Sequence, residues 1–387
     1  MKKILIIHTN YKEKGGEDIS VKNEVSLLKK KFDVRELYFN NKSVRILSFF
    51  PLLFFNYNFN SVKKFKKALN EFHPDLVYVH NIWFAASLAI LKLLKKNNVP
   101  TAIKLHNYRY FCTKSISPRQ HFNDGYCKAC GLEKSRFQFI NYYYKNSFFK
   151  NLLVYRHGIG YFKLLVKSNF TLIVLNNFQK KYLSSQGIDP DRINIIYNYI
   201  PQLNLDFKKD KEEKFILYAG RISVEKGVEE LITSFLKSNL PNKNILLKII
   251  GNGPDLNRLK SEYDSKFLEF VQYQDNHRLY EMISKSLGVV SATKLFEGQP
   301  TLFCEASMLK TVSIFPSNEG IKEFFSKENI FGYVQEDYRD LTRKLNLLTD
   351  SLLVKQFEEI NFLYTKDQLN EENLIIKFEK LIENTKL

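Results

Sequence analysis

The strongest constraint on this chain is a rhythm. Short apolar runs of strand length alternate with segments whose apolar residues fall at helical spacing, and the pattern runs through the chain twice. "KKILIIHTN" (2–10) leads through a glycine turn into "DISVKNEVSLLKKK", and "DLVYVHN" (75–81) leads into "SLAILKLLKKNN". "PTAIKLHN" (100–107), "TLIVLNN" and "INIIYN" (193–198) continue it. The polar stretch "QLNLDFKKDKEEK" (202–214) interrupts, and the alternation restarts at "KFILYAGR" (214–221), followed by "NILLKIIGNGP", runs at 268–273 and 287–292, and "TVSIFPS" (311–317). Strands alternating with helices require parallel sheets with crossover helices. The expectation is an α/β chain of two doubly wound, Rossmann-like domains, 1–204 and 205–365, with ligands in a cleft at the strand C-termini.

Charge separates the two halves. Residues 1–200 carry 33 Lys+Arg against 12 Asp+Glu, a net of +21, whereas the remainder nets −3, together the +18 of the whole chain. A basic half implies a polyanionic partner, either nucleic acid or an anionic membrane. No helix-turn-helix, RNP or zinc-finger pattern occurs, so nucleic acid is not expected. The longest apolar stretch, "ILSFFPLLFFNYNF" (46–59), is broken by Pro51 and Asn56 and falls short of the about 18 apolar residues of a spanning helix. The apolar core of the N-terminus is too short for a secretory signal. Four cysteines give no disulfide framework, so a cytoplasmic location is expected.

Three stretches of the second half carry chemistry. In "YAGRISVEKGVEELI", Arg221 and Lys226 lie in a strand-to-helix loop, where two cations can hold a diphosphate. In "IIGNGPDL", Gly251 and Gly253 allow backbone to approach a flat base or a sugar. In "LFEGQPTLFCEAS" (295–307), Pro300 suits the first turn of a helix. The N–H groups around Gln299, Thr301 and Leu302 are then expected to point outward at an anion. Glu305, one turn in, tilts back toward that end, where a carboxylate suits the two hydroxyls of a ribose. Glu297 precedes the helix.

"GRISVEKG", "GNGP" and "FEGQPTLFCEAS", in this order, resemble the signature of glycosyltransferase family 4, a retaining GT-B family, with Glu297 and Glu305 matching its E-x7-E pattern. The resemblance implies the GT-B fold, a nucleotide diphosphate sugar as donor substrate with no cofactor required, and a saccharide or lipid-linked saccharide acceptor of surface polysaccharide type. It assigns the donor diphosphate to Arg221 and Lys226, the ribose to Glu305, and the phosphate and sugar to the backbone of Gly298, Gln299, Pro300, Thr301 and Leu302. It places Glu297 near the reacting sugar carbon. A C-terminal helix, 366–387, is expected to return to the N-terminal domain. Other GT-B chemistry, such as sugar-nucleotide epimerisation, or a non-enzymatic polyanion-binding protein built on the basic half, remains an alternative.

In the first half, "EKGGEDISVKNEVSLL" resembles the family's glycine loop, with the N–H groups of Gly15 and Gly16 near donor phosphates or acceptor. His106 matches the family's histidine that reaches the reacting sugar, and His80 ends its strand in the same His-Asn pair. Cys112, Cys127 and Cys130, with His121, are either a structural zinc site or reduced structural residues. "DPD" (189–191) imitates a metal motif that GT-B enzymes do not use. Two aromatic and basic segments, "RILSFFPLLFFNYNFNSVKKFKKAL" and "RFQFINYYYKNSFFKNLLVYRHGIGYFKLLVK", are either membrane-facing helices at the inner face of the cell membrane or interhelix packing.

Overall fold

The computed structural model describes residues 1–10, 15–41, 46–108, 147–201, 214–272 and 275–385. It divides into one unit of Met1–Tyr199 with Leu369–Leu387 and another of Ile200–Gln368.

The first unit is built on the parallel sheet β2-β1-β3-β4-β5-β6. Its strands are β1 (Lys3–Asn10), β2 (Asp33–Asn40), β3 (Leu76–Val79), β4 (Thr101–Lys104), β5 (Thr171–Val174) and β6 (Ile193–Ile195). Its helices are α1 (Gly16–Leu28), α2 (Ile46–Phe55), α3 (Phe59–Phe72), α4 (Leu88–Lys96), α5 (Phe148–Lys167) and α6 (Asn177–Ser185). Central strands of a parallel sheet are covered on both faces, which is why Ile4–Ile7 and Leu76–Val79 are apolar without alternation and fully buried. Strand β2, "DVRELYFN", lacks such a run because it is an edge strand, with Phe39 as its single buried residue, paired with β1 from Lys3↔Asp33 to Asn10↔Asn40. Its polar sequence hid it from the pattern above.

The second unit repeats the plan in the order β12-β11-β10-β7-β8-β9, also parallel throughout. Its strands are β7 (Phe215–Ala219), β8 (Leu246–Ile250), β9 (Leu268–Val271), β10 (Val289–Val290), β11 (Ser313–Pro316) and β12 (Gly332–Tyr333). Helices α7 (Val228–Leu236), α8 (Leu256–Glu262), α9 (Asn276–Lys285), α10 (Thr301–Met308), α11 (Tyr338–Leu347) and α12 (Ser351–Gln368) accompany them. The last helix, α13 (Glu371–Asn384), belongs to the first unit. Asn370 caps it, and Leu374, Phe378, Leu381 and Ile382 join the core formed by β1, β3 and α1. Phe378 meets the ring of Tyr78 edge-on at 5.6 Å.

Each sheet has a point where successive crossovers change direction: between β1 and β3 in the first, and between β7 and β10 in the second. Loops leaving neighbouring strands there diverge to opposite faces and leave a crevice at the strand C-termini, the usual ligand position of open parallel sheets.

Candidate active site

In the second unit the loops after β7 and β10 flank the reversal point, and specific contacts tie them together. Gly227 ends the β7 loop with φ 66°, and a Cβ there would lie 2.1 Å from the carbonyl oxygen of Ala292. Only glycine allows this approach. The Lys294 N–H donates to the Glu225 carbonyl at 3.0 Å, and the Lys294 ammonium pairs with Glu230. Lys226 Nζ reaches Glu297 Oε1 at 2.6 Å, and the Thr293 hydroxyl donates to the same oxygen at 3.2 Å. Arg221 is exposed, and among the described residues nothing pairs with its guanidinium; the Tyr218 hydroxyl fixes its carbonyl at 2.8 Å. Among the described residues, a fixed loop thus offers one unpaired cation and one held by a carboxylate. A diphosphate arriving here would meet the guanidinium first and compete with Glu297 for the ammonium.

Gly251 and Gly253 have a structural use within the fold. Cβ atoms at these positions would lie 1.8 Å from the Gly220 carbonyl oxygen and 2.0 Å from that of Ile222. The β7 and β8 loops zip together through Gly220 N–H to Ile250 O at 2.9 Å and Ile222 N–H to Asn252 O at 3.0 Å. The glycines are required for this loop-on-loop contact, which fills the space on their Cβ side with backbone.

Pro300 is the N-cap of α10 rather than a residue of its first turn. The Thr301 N–H folds back onto Gln299 O at 2.9 Å, so it is not among the free donors, while Phe303 and Cys304 donate to Pro300 O. Of the expected outward groups, Leu302 lies in the first turn, while Gly298 and Gln299 are buried in the loop before it. Glu305 is only 8% exposed and accepts from the Tyr280 hydroxyl, on α9, at 3.1 Å. Burial pushes its carboxyl up to about 7, against the partial relief of that hydrogen bond. Tyr280 and Thr293 had no motif to announce them, since only the fold brings them to the two glutamates.

The first unit places its polar residues at the β1/β3 reversal. His8, at the end of β1, donates through Nε2 to Asp18 Oδ1 at 2.8 Å, and Asp18 Oδ2 accepts the Gly15 N–H at 3.0 Å. That N–H, expected to be free for a ligand, is therefore committed to Asp18. A Cβ at Gly15 or Gly16 would meet no described atom within 4 Å. His80 Nδ1 and His106 Nε2 lie 2.9 Å apart, with His80 buried and His106 only partly so. Beneath them Lys104 and Glu24 form a buried pair at 2.8 Å. Desolvation raises the Glu24 pKa and lowers that of Lys104, each opposed by the other's charge. Cys112, Cys127, Cys130 and His121 lie outside the described residues. Among the described residues no cluster of metal-ligating side chains occurs.

A family model described as Glycosyl transferases group 1 matches residues 202–360, and one described as Glycosyltransferase Family 4 matches 24–201. Similar solved structures include sucrose-phosphate synthase from Thermosynechococcus elongatus, 15% identical over 99% of both chains with a TM-score of 0.70. HepE from Anabaena in complex with UDP and glucose is 13% identical over 99% of this chain and 100% of its own, TM-score 0.66. A point mutant of TarM from S. aureus, in complex with fondaparinux, alpha-GlcNAc-glycerol and UDP, is 16% identical over 82% of this chain and 58% of its own, TM-score 0.59. None of the curated proteins matches the chain by sequence. At these identities the structural likeness establishes the GT-B fold.

Proposed function

Because the chain belongs to the group 1 glycosyltransferases, we propose that it transfers a sugar from a nucleotide diphosphate donor, held by its C-terminal unit, to a saccharide or lipid-linked saccharide. The observation that supports this most is the convergence of Arg221, Lys226 and Glu297 at the β7/β10 reversal, with the buried Glu305 one turn into α10. Arg221 and Lys226 take the diphosphate, and Glu305 accepts hydrogen bonds from the ribose hydroxyls. Glu297 holds Lys226 in place and lies beside the transferred sugar. HepE is seen with UDP and glucose, so a uridine nucleotide is the first donor to try here.

The transfer proceeds with retention. An acceptor hydroxyl oxygen bonds to the anomeric carbon as the bond from that carbon to the diphosphate oxygen breaks on the same face. The hydroxyl proton passes to the departing diphosphate, whose growing negative charge Arg221 and Lys226 stabilise. His106 contributes a hydrogen bond to a sugar hydroxyl.

The acceptor reading is supported by one face of the first unit. Phe50, Phe54, Phe55 and Phe59 are exposed, Phe55 at 71%, as are Phe148 and Phe149 at the start of α5. Cations sit among them: Arg156 donates to the Phe54 carbonyl at 2.9 Å and Lys92 to that of Phe55 at 3.4 Å. The outer face of α3 adds exposed Lys63, Lys64, Lys66 and Lys67. Exposed rings flanked by cations fit an anionic lipid surface, with each nearby Lys or Arg worth about 1 kcal/mol. Among the described residues no helix is long and apolar enough to cross a membrane, so this face would dock at the surface. Such docking suits a lipid-linked acceptor of surface polysaccharide.

Calorimetric titration with UDP and UDP-sugars tests the donor site. Glu305→Ala is expected to weaken binding by at least about tenfold, the worth of one charge-assisted hydrogen bond, and equal affinity for the two proteins overturns the assignment. Sedimentation with phosphatidylglycerol vesicles tests the docking face. Binding should weaken with salt and be lost in Phe54→Ser/Phe55→Ser; absence of binding at low salt overturns it.

A further inference from the structure

The end of the first sheet holds a chain of buried polar groups of which the proposed chemistry uses only the last. Glu24 Oε1 accepts from both Lys104, at 2.8 Å, and the Tyr78 hydroxyl, at 3.1 Å. Its other oxygen, Oε2, is buried, has no hydrogen-bond partner among the described residues, and lies 4.0 Å from His80 Nε2, which is equally buried and likewise unpartnered among them. On the other side of the His80 ring, Nδ1 lies 2.9 Å from His106 Nε2, with the rings stacked at 5.2 Å and 23°.

Two neutral imidazoles sharing a hydrogen bond need one donor and one acceptor. Both rings are held neutral: burial lowers both pKa values, reinforced at His80 by His106, His8 and Lys104, and at His106 by Lys104 and His8. Which ring donates depends on what faces the far side of His80. A carboxylate opposite Nε2 favours the tautomer with its hydrogen there, leaving Nδ1 as a lone pair. The other groups against His80 do not reverse this choice. The Tyr78 ring is tilted beside it at 4.4 Å, and the His8 ring meets it edge-on at 6.2 Å with its Nε2 committed to Asp18. Lys104 is engaged by Glu24 and by the Tyr197 carbonyl at 3.3 Å. His106 must then donate through Nε2, and its Nδ1 carries no hydrogen.

We propose that His80 is a positioning residue: oriented by Glu24, it fixes the tautomer of His106 so that His106 presents a bare Nδ1 as a hydrogen-bond acceptor. The proposal rests on the reading of His106 as a residue that touches substrate, and it deepens that reading. An acceptor nitrogen recognises a hydroxyl as donor and gives nothing to a carboxylate or phosphate at the same position. The site is thereby tuned to a neutral sugar rather than a uronate or sugar phosphate.

The test uses the full chain labelled with 15N-histidine, read by two-bond 1H–15N correlation, with His106→Gln identifying the His106 signals. The expected pattern is a protonated Nε2 and an unprotonated Nδ1 for His106. His80→Phe keeps a ring but removes the acceptor. It should give His106 mixed tautomers and lower kcat for UDP-sugar hydrolysis roughly three- to tenfold, the worth of one neutral hydrogen bond. His80→Asn, whose amide oxygen can occupy the Nδ1 position, should restore both. A hydrogen on His106 Nδ1 in the wild type, or an unchanged His106 pattern in His80→Phe, overturns the proposal. If the tautomer is as expected but His106→Gln hydrolyses UDP-sugar normally, the pairing stands and the role of His106 in transfer falls.

Discussion

Replacing Glu305 with glutamine should change how stability depends on pH, and the size of the change follows from the burial of this one side chain. Burial raises its carboxyl from 4.5 to about 7. Between these two values the folded protein keeps a proton that the unfolded chain has already released. The folded state is therefore favoured less and less as pH climbs from 4.5 to about 7, and the loss is complete above that. At about 1.4 kcal/mol per pH unit, the gap amounts to about 3 kcal/mol. The amide of the variant has no proton to lose, and its oxygen can still accept from Tyr280. Urea denaturation of both proteins at about pH 5 and about pH 8 isolates the effect, because every other titration is shared. The variant should gain on the wild type by about 2 to 3 kcal/mol across that interval. A stability difference that does not move with pH would refute the buried-carboxyl account. The same ionisation bears on the donor. UDP-glucose carries a diphosphate that does not titrate near neutrality, so its affinity should rise through about pH 7 in the wild type, where an ionised carboxylate meets the ribose, and stay flat in Glu305→Gln.

Three further outcomes are expected. Glu24→Ala or Lys104→Met alone strands a buried charge and should cost about 3 to 5 kcal/mol in denaturant melts, whereas Glu24→Leu/Lys104→Met together should cost less than either. Phe378→Ala removes a ring that is 1% exposed and should destabilise the first unit by about 3 to 5 kcal/mol, read as earlier exchange of β1 and β3 amides; equal protection would show that α13 does not hold that core. His157 is fully buried against Trp83, with both ring nitrogens unpartnered among the described residues and its pKa pushed down to about 3 by burial. His157→Phe should therefore leave stability unchanged or raise it by about 1 kcal/mol in thermal melts, and a large loss would mean that the ring has a partner.

The alternation of apolar runs and helical segments was enough to determine the fold class, because central parallel strands are buried on both faces and cannot hide their apolar character. The edge strand β2 and the two-residue strand β12 escaped for the opposite reason. The exposed residues of β2 fall on both of its faces, so no apolar alternation shows, and β12 is too short to show a period. Arg221, Lys226, Glu297, Glu305 and His106 were legible because they sit in contiguous motifs at strand ends and a helix start.

What those residues touch was decided by tertiary structure. Sequence order places Lys226 far from Glu297, and only the adjacency of β7 and β10 brings them to 2.6 Å. Glycine motifs show that backbone must pass close to something, but not what. At Gly251 and Gly253 the neighbour is another loop of the same sheet, while beside Gly15 and Gly16 no described residue comes within 4 Å of a Cβ. Likewise "VHN" and "LHN" mark two strand ends, but His80 and His106 become one hydrogen-bonded pair over a buried Glu24 only because β3 and β4 are neighbours, with α1 packed against the sheet. Local spacing encodes elements and their ends. Hydrogen-bond partners across a sheet depend on strand order, which no local pattern carries.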